Sequence, residues 1–255
     1  MGKDFPDGAC MVFGGSGGIG QGVALEFGKA GSDVAVCYRS KQDVAERTAE
    51  AIRAAGARAS IHQVDVRDRA SLDACIAAAA EHGRIHSMVW GAGPLVGQTP
   101  LAEWTEAAFR NAMETEAFGF YNAARALIPH MRAHGGGSFV HLGSAGHDWY
   151  PKLDGLSVVP KAANEALIKG IAKEEGEHNI RANSVLVGVI DAGMFHELSE
   201  QGVFGDEWIA ETHKLLCLRR WGQPEDIGAA AVFFASNRAN YVTGQTISVS
   251  GGFGV

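Results

Sequence analysis

The sequence is short of most features that would settle its class at a glance. No run of roughly 18 apolar residues occurs, so no segment is long enough to cross a bilayer as a helix. The stretch Met1-Gly2-Lys3-Asp4-Phe5-Pro6 lacks the basic-then-apolar pattern of a secretory leader, and neither Pro6 nor Asp7 supplies the Ser or Thr that a myristoylation motif needs. Only four cysteines are present (Cys10, Cys37, Cys75, Cys217), without C-x-x-C spacing, which argues against a disulfide framework or a zinc site and for a reducing cytoplasm. The ten histidines form no H-E-x-x-H motif and no tight cluster, so no metal site is expected. No basic block offsets a net charge of −7, which argues against a nucleic-acid partner. The seven prolines are dispersed, no Pro/Gly/Ser-rich linker divides the 255 residues, and no fixed-period repeat appears. A single domain over 1–255 is therefore expected.

What the chain has in excess is glycine, 34 residues or about twice average usage, in a composition otherwise normal for a globular protein. Short β-rich runs alternate with longer helical stretches. Strands are expected at 9–13, 33–38, 58–64, 87–90, 138–142, 180–187 and 246–249. Helices are expected at 18–30, 44–55, 71–81, 161–177 and 224–236, with one long helical stretch over 103–134 interrupted near Pro129. Strand–helix alternation of this length implies right-handed crossovers and an α/β fold, a doubly wound parallel seven-stranded sheet with helices on both faces. Ligands of such sheets lie beyond the carboxyl ends of the strands.

The first strand runs straight into Gly14-Gly15-Ser16-Gly17-Gly18-Ile19-Gly20, and a helix follows. Glycines there let the backbone turn sharply and approach a pyrophosphate, while the helix start offers free N–H groups and a positive dipole end. Ser16, Gly17, Gly18, Ile19 and Gly20 are thus candidate nucleotide ligands with Gly14. The second strand ends in Cys37-Tyr38-Arg39-Ser40, with no acid to accept the ribose hydroxyls of NAD. Arg39 and Ser40 instead offer a cation and a hydroxyl to a 2′-phosphate, which favours NADP(H) over NAD(H). A solvated turn residue is the plainer reading of Arg39.

With these residues in place, the chain resembles the short-chain dehydrogenase/reductase family over essentially its full length. Gly14-x-x-x-Gly18-Ile19-Gly20 matches that family's glycine motif. Asp65-Val66 closes the third strand, where the family contacts adenine. Ile180-Arg181-Ala182-Asn183-Ser184 leading to Gly188, Arg220-Trp221-Gly222-Gln223-Pro224-Glu225-Asp226-Ile227 and Tyr241-Val242-Thr243-Gly244-Gln245 resemble its C-terminal segments. The resemblance implies a Rossmann-type fold, a nicotinamide cofactor and usually a homotetramer or dimer. It also implies that Ala92 and Gly93 flank a ribose, that Lys161 holds the nicotinamide ribose and that Ile190 abuts the carboxamide.

The family's catalytic set is Asn, Ser, Tyr and Lys, and here the match is partial. Ser144 and Lys161 occupy their usual places. The residue four before the lysine is Ser157 where the family has Tyr, and an alkyl hydroxyl is a far weaker acid than a phenol of reference pKa about 10. The family's helix asparagine is Glu116, its "NNAG" segment is Trp90-Gly91-Ala92-Gly93, Phe13 replaces a usual Thr, and Val187 stands before Gly188 where Pro is usual. The cofactor scaffold is kept while the proton machinery differs.

Three readings compete. In one, Tyr150, its neighbours His147 and Asp148, or Glu116 acting through water supplies the proton in carbonyl/alcohol chemistry; each has an ordinary reading as a pocket wall, loop or paired residue. In another, Ser157-x-x-x-Lys161 resembles the 2,4-dienoyl-CoA reductase branch, with Tyr150 as acid for a conjugated C=C bond. In the third, the protein binds NADP(H) without catalysis. A lid is expected over 193–218, and its Phe195, Leu198, Val203, Phe204, Trp208 and Ile209 point to an apolar or aromatic substrate wall or to lid packing.

Overall fold

The computed structural model describes residues 3–255. Seven strands form one sheet: β1 Ala9–Phe13, β2 Asp33–Tyr38, β3 Ala59–Gln63, β4 Ile85–Trp90, β5 Gly137–Ser144, β6 Ile180–Val187 and β7 Thr246–Val249. Their order is β3-β2-β1-β4-β5-β6-β7, every pairing is parallel, and the order reverses between β1 and β4. The expected seven-stranded parallel α/β sheet is what forms. β4 is buried at every position and β1 at all but its first. Such unbroken apolar runs are what a sheet covered on both faces requires.

Helices α1 (Gly18–Lys29), α2 (Gln42–Ala54) and α9 (Pro224–Ala235) belong to one face. There Val12, Val23, Phe27, Val36, Ile52, Val140 and Ile227 form a buried cluster. The other face holds α3 (Arg69–Ala80), α5 (Gly119–Ala133) and α6 (Gly155–Glu174), with Met11, Leu72, Met88, Leu127, Phe139 and Ile168 among the core residues. Full burial of a large apolar side chain contributes about 1.5–3 kcal/mol, so two such clusters supply the main driving force. Arg181 ties the layers together. Its guanidinium donates to the carbonyls of Phe234, Ala235 and Ser236 at 2.6, 3.2 and 3.2 Å, satisfying the end of α9. No helix among the described residues is long and apolar enough to cross a membrane.

Two expectations need correcting. The stretch over 103–134 is not one helix broken at Pro129. It comprises α4 (Glu106–Met113), a wide π-type turn over Glu114–Phe118, and α5, which runs through Pro129 to Ala133. Flanking packing outweighs the loss of one N–H at the proline, and the widened turn falls at Glu116. Second, α6 begins at Gly155 rather than Lys161, because the Asp154 carbonyl accepts the amides of Ser157 and Val158. Ser157 and Lys161 therefore lie one turn apart on the same helix. The expected lid over 193–218 holds two helices, α7 (Met194–Glu200) and α8 (Asp206–Leu215).

Candidate active site

The glycine loop sits at the reversal point between β1 and β4. Gly14 has φ +78°, and a Cβ on it would run into the carbonyl of Gly91 at the end of β4. A Cβ on Gly20 would strike the Gly14 carbonyl, and one on Gly18 would strike Gly193 of the lid hinge. These positions tolerate only glycine because backbone meets backbone. The loop leads into the start of α1, whose first residues offer unpaired N–H groups to an anion. Ser16 is buried beside it, while Gly17 and Ile19 are partly exposed.

At the end of β2, Arg39 and Ser40 are exposed, and the Arg39 guanidinium has no hydrogen bond or ion pair among the described residues. Asp65 is engaged by Arg67 through two contacts of 3.0 and 2.7 Å. Chiefly through that bond its carboxyl is lowered to about 2. Val66 is buried next to it. A groove of about 720 Å³ runs along this edge, lined by Ser16, Gly18, Lys41, Arg47 and Gly193, and does not extend to Lys161. Ile190 is buried and bridges to Gly222.

The second half of the site lies at the carboxyl ends of β4 and β5. Lys161 Nζ donates to Glu116 Oε2 at 2.9 Å. Glu116 is nearly fully buried, and burial alone would favour its neutral form. Lys161 and His141 outweigh that and hold the carboxyl below its ordinary range. Gly93 closes the pair from the β4 side: a Cβ there would lie 2.6 Å from Glu116 Oε2 and 3.9 Å from Lys161 Nζ. Ala92 is partly buried beside it. Gly93, Glu116 and Lys161 thus meet at one point.

Behind Glu116 lies a buried polar network whose members the sequence did not single out. His141 Nδ1 is 3.0 Å from Glu165 Oε1 and 2.9 Å from Ser184 Oγ. Ser184 Oγ donates to the same Glu165 oxygen at 2.6 Å. Asn164 Nδ2 donates to the Glu116 carbonyl at 3.2 Å and lies 3.3 Å from His141 Nε2. Neutral His141 can donate from Nδ1 to Glu165 and accept from Asn164. Burial opposes a second proton, but Glu116 and Glu165 outweigh it and raise the imidazole's pKa. The only hint in the sequence was polar residues on core-facing positions of a strand and a helix.

An aromatic chain runs from the glycine loop to this network. Phe13, Trp90, Phe120 and His141 follow one another at centroid distances of 5.1, 5.8 and 5.8 Å. Trp90 fits because Gly119 has no side chain; a Cβ there would lie 3.0 Å from the indole. The departures at Phe13, Trp90 and Glu116 are therefore in one packed cluster.

The remaining candidates are placed as follows. Ser144 Oγ accepts the Gly146 amide at 3.0 Å, which leaves its O–H free to donate. Ser157 is partly buried on α6. Tyr150 is 52% exposed and its hydroxyl rests against Gly155 and Trp104. His147 Nε2 lies 3.3 Å from the Val158 carbonyl, and burial pushes its imidazole down. Asp148 is exposed in the same loop. In the lid, Phe195, Phe204 and Trp208 pack on one another and on Trp221 beyond it, with centroids 4.1–6.3 Å apart.

Comparisons with known proteins bear on the fold and the family. A family model described as enoyl-(acyl carrier protein) reductase matches residues 14–254. The chain is 32% identical over 260 residues to a 3-oxoacyl-acyl-carrier-protein reductase of Chlamydia muridarum, covering 96% of each. It is 31% identical over 252 residues to the 7alpha-hydroxysteroid dehydrogenase of Escherichia coli, covering 96% of this chain and 94% of the other. A 7alpha-hydroxysteroid dehydrogenase solved with NADH and 7-oxo glycochenodeoxycholic acid superposes with TM-score 0.89 at 30% identity, over 98% of this chain and 96% of that one. The parallel sheet, the glycine loop at its reversal point and these matches together show that the chain belongs to the short-chain dehydrogenase/reductase family of oxidoreductases.

Proposed function

We propose that the protein is an NADP(H)-dependent oxidoreductase acting on a carbonyl/alcohol pair, with a proton donor other than the family's tyrosine. The observation that carries this reading is the meeting of Gly93, Glu116 and Lys161. It places an ammonium group against the wall expected to hold the nicotinamide ribose. The glycine loop fits a pyrophosphate, since it presents backbone N–H groups where any side chain would intrude. Free Arg39, with Ser40, suits a 2′-phosphate better than a bare hydroxyl pair.

When bound, the nicotinamide supplies or accepts hydride. Lys161 grips the ribose and lends positive potential to the reacting oxygen. Glu116 fixes Lys161 and, being ionised, serves as its counter-charge rather than as an acid. The Ser144 hydroxyl donates to the substrate oxygen and orients it. Asp65 and Val66 line the adenine end, and Ile190 backs the carboxamide end. The lid aromatics Phe195 and Trp208 make an apolar wall suited to a hydrophobic substrate. Exposed Phe118 and Tyr121 beside α5 support self-association as a dimer or homotetramer. The free cysteines, three of them buried, suit the cytoplasm.

Reduction of a conjugated C=C bond is the second reading. Ser157 before Lys161 and the description of the matching family model favour it. The test is loss of reduced-nicotinamide absorbance against activated ketones, diketones, quinones, enones and enoyl thioesters. Turnover of ketones is expected; turnover confined to conjugated C=C substrates selects the second reading.

A further inference from the structure

The start of α6 carries a carboxyl group that none of the preceding roles uses. Asp154 precedes Gly155, and its Oδ1 accepts a 2.7 Å hydrogen bond from Gln98 Nε2. Gln98 belongs to the loop that leaves β4 beyond Gly93. That loop is pinned to the Asp154 segment by a second bond, from the Thr99 amide to the Leu153 carbonyl at 3.2 Å. Leu153 is held at φ +72°, a conformation rare for a side-chain-bearing residue and one that persists only where surroundings enforce it. Asp154 is thus a fixed group.

Its surroundings are apolar. Val96 from the same loop, Leu156 on α6, and Ala112 on α4 form a small buried cluster with Trp104 and Met194 of the lid. Asp154 itself, two residues before Leu156, is partly buried. Burial raises the Asp154 pKa above the ordinary carboxylate range, with Gln98 and the Lys161 charge only partly opposing it. Asp154 Oδ2 has no hydrogen bond among the described residues.

Asp154, Ser157 and Lys161 stand at i, i+3 and i+7 along α6, one stripe of the helix. Where the family places a phenol between the helix start and the lysine, Ser157 puts only a hydroxymethyl group. The charged or titratable groups around Asp154 are few. Lys161 lies on its own helix, with Glu116 paired behind it. The Tyr150 hydroxyl comes from the preceding loop, and the β4 loop and the lid contribute neutral Gln98 and Met194.

We propose that Asp154 is the proton donor of this site, its carboxyl held by Gln98 and its proton delivered to the oxygen of a bound carbonyl. The inference rests on the oxidoreductase reading above. In the step, hydride from the reduced nicotinamide forms the new C–H bond, and the carbonyl π pair moves to oxygen. That oxygen takes the Asp154 proton. The carbonyl carbon is reduced, the nicotinamide is oxidised, and Asp154 is left as a carboxylate that regains a proton from solvent. A carboxyl group tuned upward by burial is a recurrent way to keep an acid protonated near neutrality.

Two measurements on the full chain test this. In ¹³C NMR of carboxyl-labelled aspartate, with Asp154→Asn used for assignment, the Asp154 signal should titrate above the ordinary range. It should rise further in Gln98→Leu; titration at or below the ordinary range overturns the proposal. In kinetics with NADPH and diacetyl, Asp154→Asn should lower kcat about 10²–10⁴-fold. It should also abolish the alkaline limb of the pH profile while leaving NADPH binding by fluorescence unchanged. Asp154→Glu should recover part of the rate with a shifted limb. Wild-type turnover with an Asp154→Asn rate within about threefold and an unaltered profile overturns the Asp154 assignment alone. NADPH binding without turnover of diacetyl or any other carbonyl overturns the oxidoreductase reading and the Asp154 role with it.

Discussion

The two halves of the site are built by different means. At the ends of β1 and β2, backbone does the work: Gly14, Gly18 and Gly20 leave no room for a Cβ, and the free cation of Arg39 stands at the rim. At the ends of β4 and β5, side chains do it. Lys161 and Glu116 form a buried pair, with His141, Asn164, Glu165 and Ser184 stacked behind. Backbone constraints are met by one residue type and persist as a motif. A side-chain network depends on several residues at once, and here Phe13, Trp90 and Phe120 pack in series next to it. On the proposed reading, the backbone-built half would serve the nucleotide and the side-chain-built half the proton.

The contrast is broken most severely at Lys161. Lys161→Ala should lower turnover by about 10²–10⁴-fold and weaken cofactor binding. It also leaves Glu116 buried without a partner, which costs about 3–5 kcal/mol. A urea midpoint should fall accordingly, and adding Glu116→Gln should restore stability but not turnover. Unchanged activity would remove Lys161 from the site.

Next comes the cradle. Gly20→Val should abolish NADPH binding, read by nicotinamide fluorescence, because its Cβ meets the Gly14 carbonyl.

Glu116→Gln alone should reduce turnover about tenfold, since Lys161 keeps its place but loses its counter-charge. The pH dependence of stability has a definite sign here. The Glu116 pKa is lowered in the folded state, so its contribution is present above the ordinary carboxylate pKa. It is lost as pH falls through the lower folded value. Acid unfolding of the Gln variant should lack that component; identical acid curves would mean that Glu116 is not ionised.

Arg39→Ala should weaken NADPH by about tenfold and leave NADH unchanged; equal loss for both would detach Arg39 from the 2′-phosphate. The smallest effect is expected for Ser157→Tyr, a modest rise in simple-ketone reduction. A flat response would mean that the pocket has changed along with the acid.

The same division explains what could be read in the sequence. Strand positions, the sheet class and the glycine loop follow from local alternation and a local motif. β1, β2, β6 and β7 fall where expected, to the residue. The π-type turn at Glu116 was not visible. It depends on how α4 and α5 pack, and the only local break signal, Pro129, lies elsewhere. The start of α6 was missed because Pro160 suggests a boundary, whereas it sits within the helix. Glu116 was flagged by its place in the family pattern. His141, Glu165 and Asp154 were not, since their partners lie 24, 24 and 56 residues away in sequence. Only the folded sheet brings such groups together.

What most needs testing is whether the glycine cradle serves hydride transfer with Ser157, and no phenol, four residues before Lys161. The most direct measurement is loss of reduced-nicotinamide absorbance when the full chain is mixed with NADPH and an activated ketone, with NADPH binding followed in the same sample. The account predicts binding and ketone-dependent oxidation that disappears in Lys161→Ala. Tight NADPH binding with no oxidation by any carbonyl would contradict it and mark the protein as a nucleotide binder.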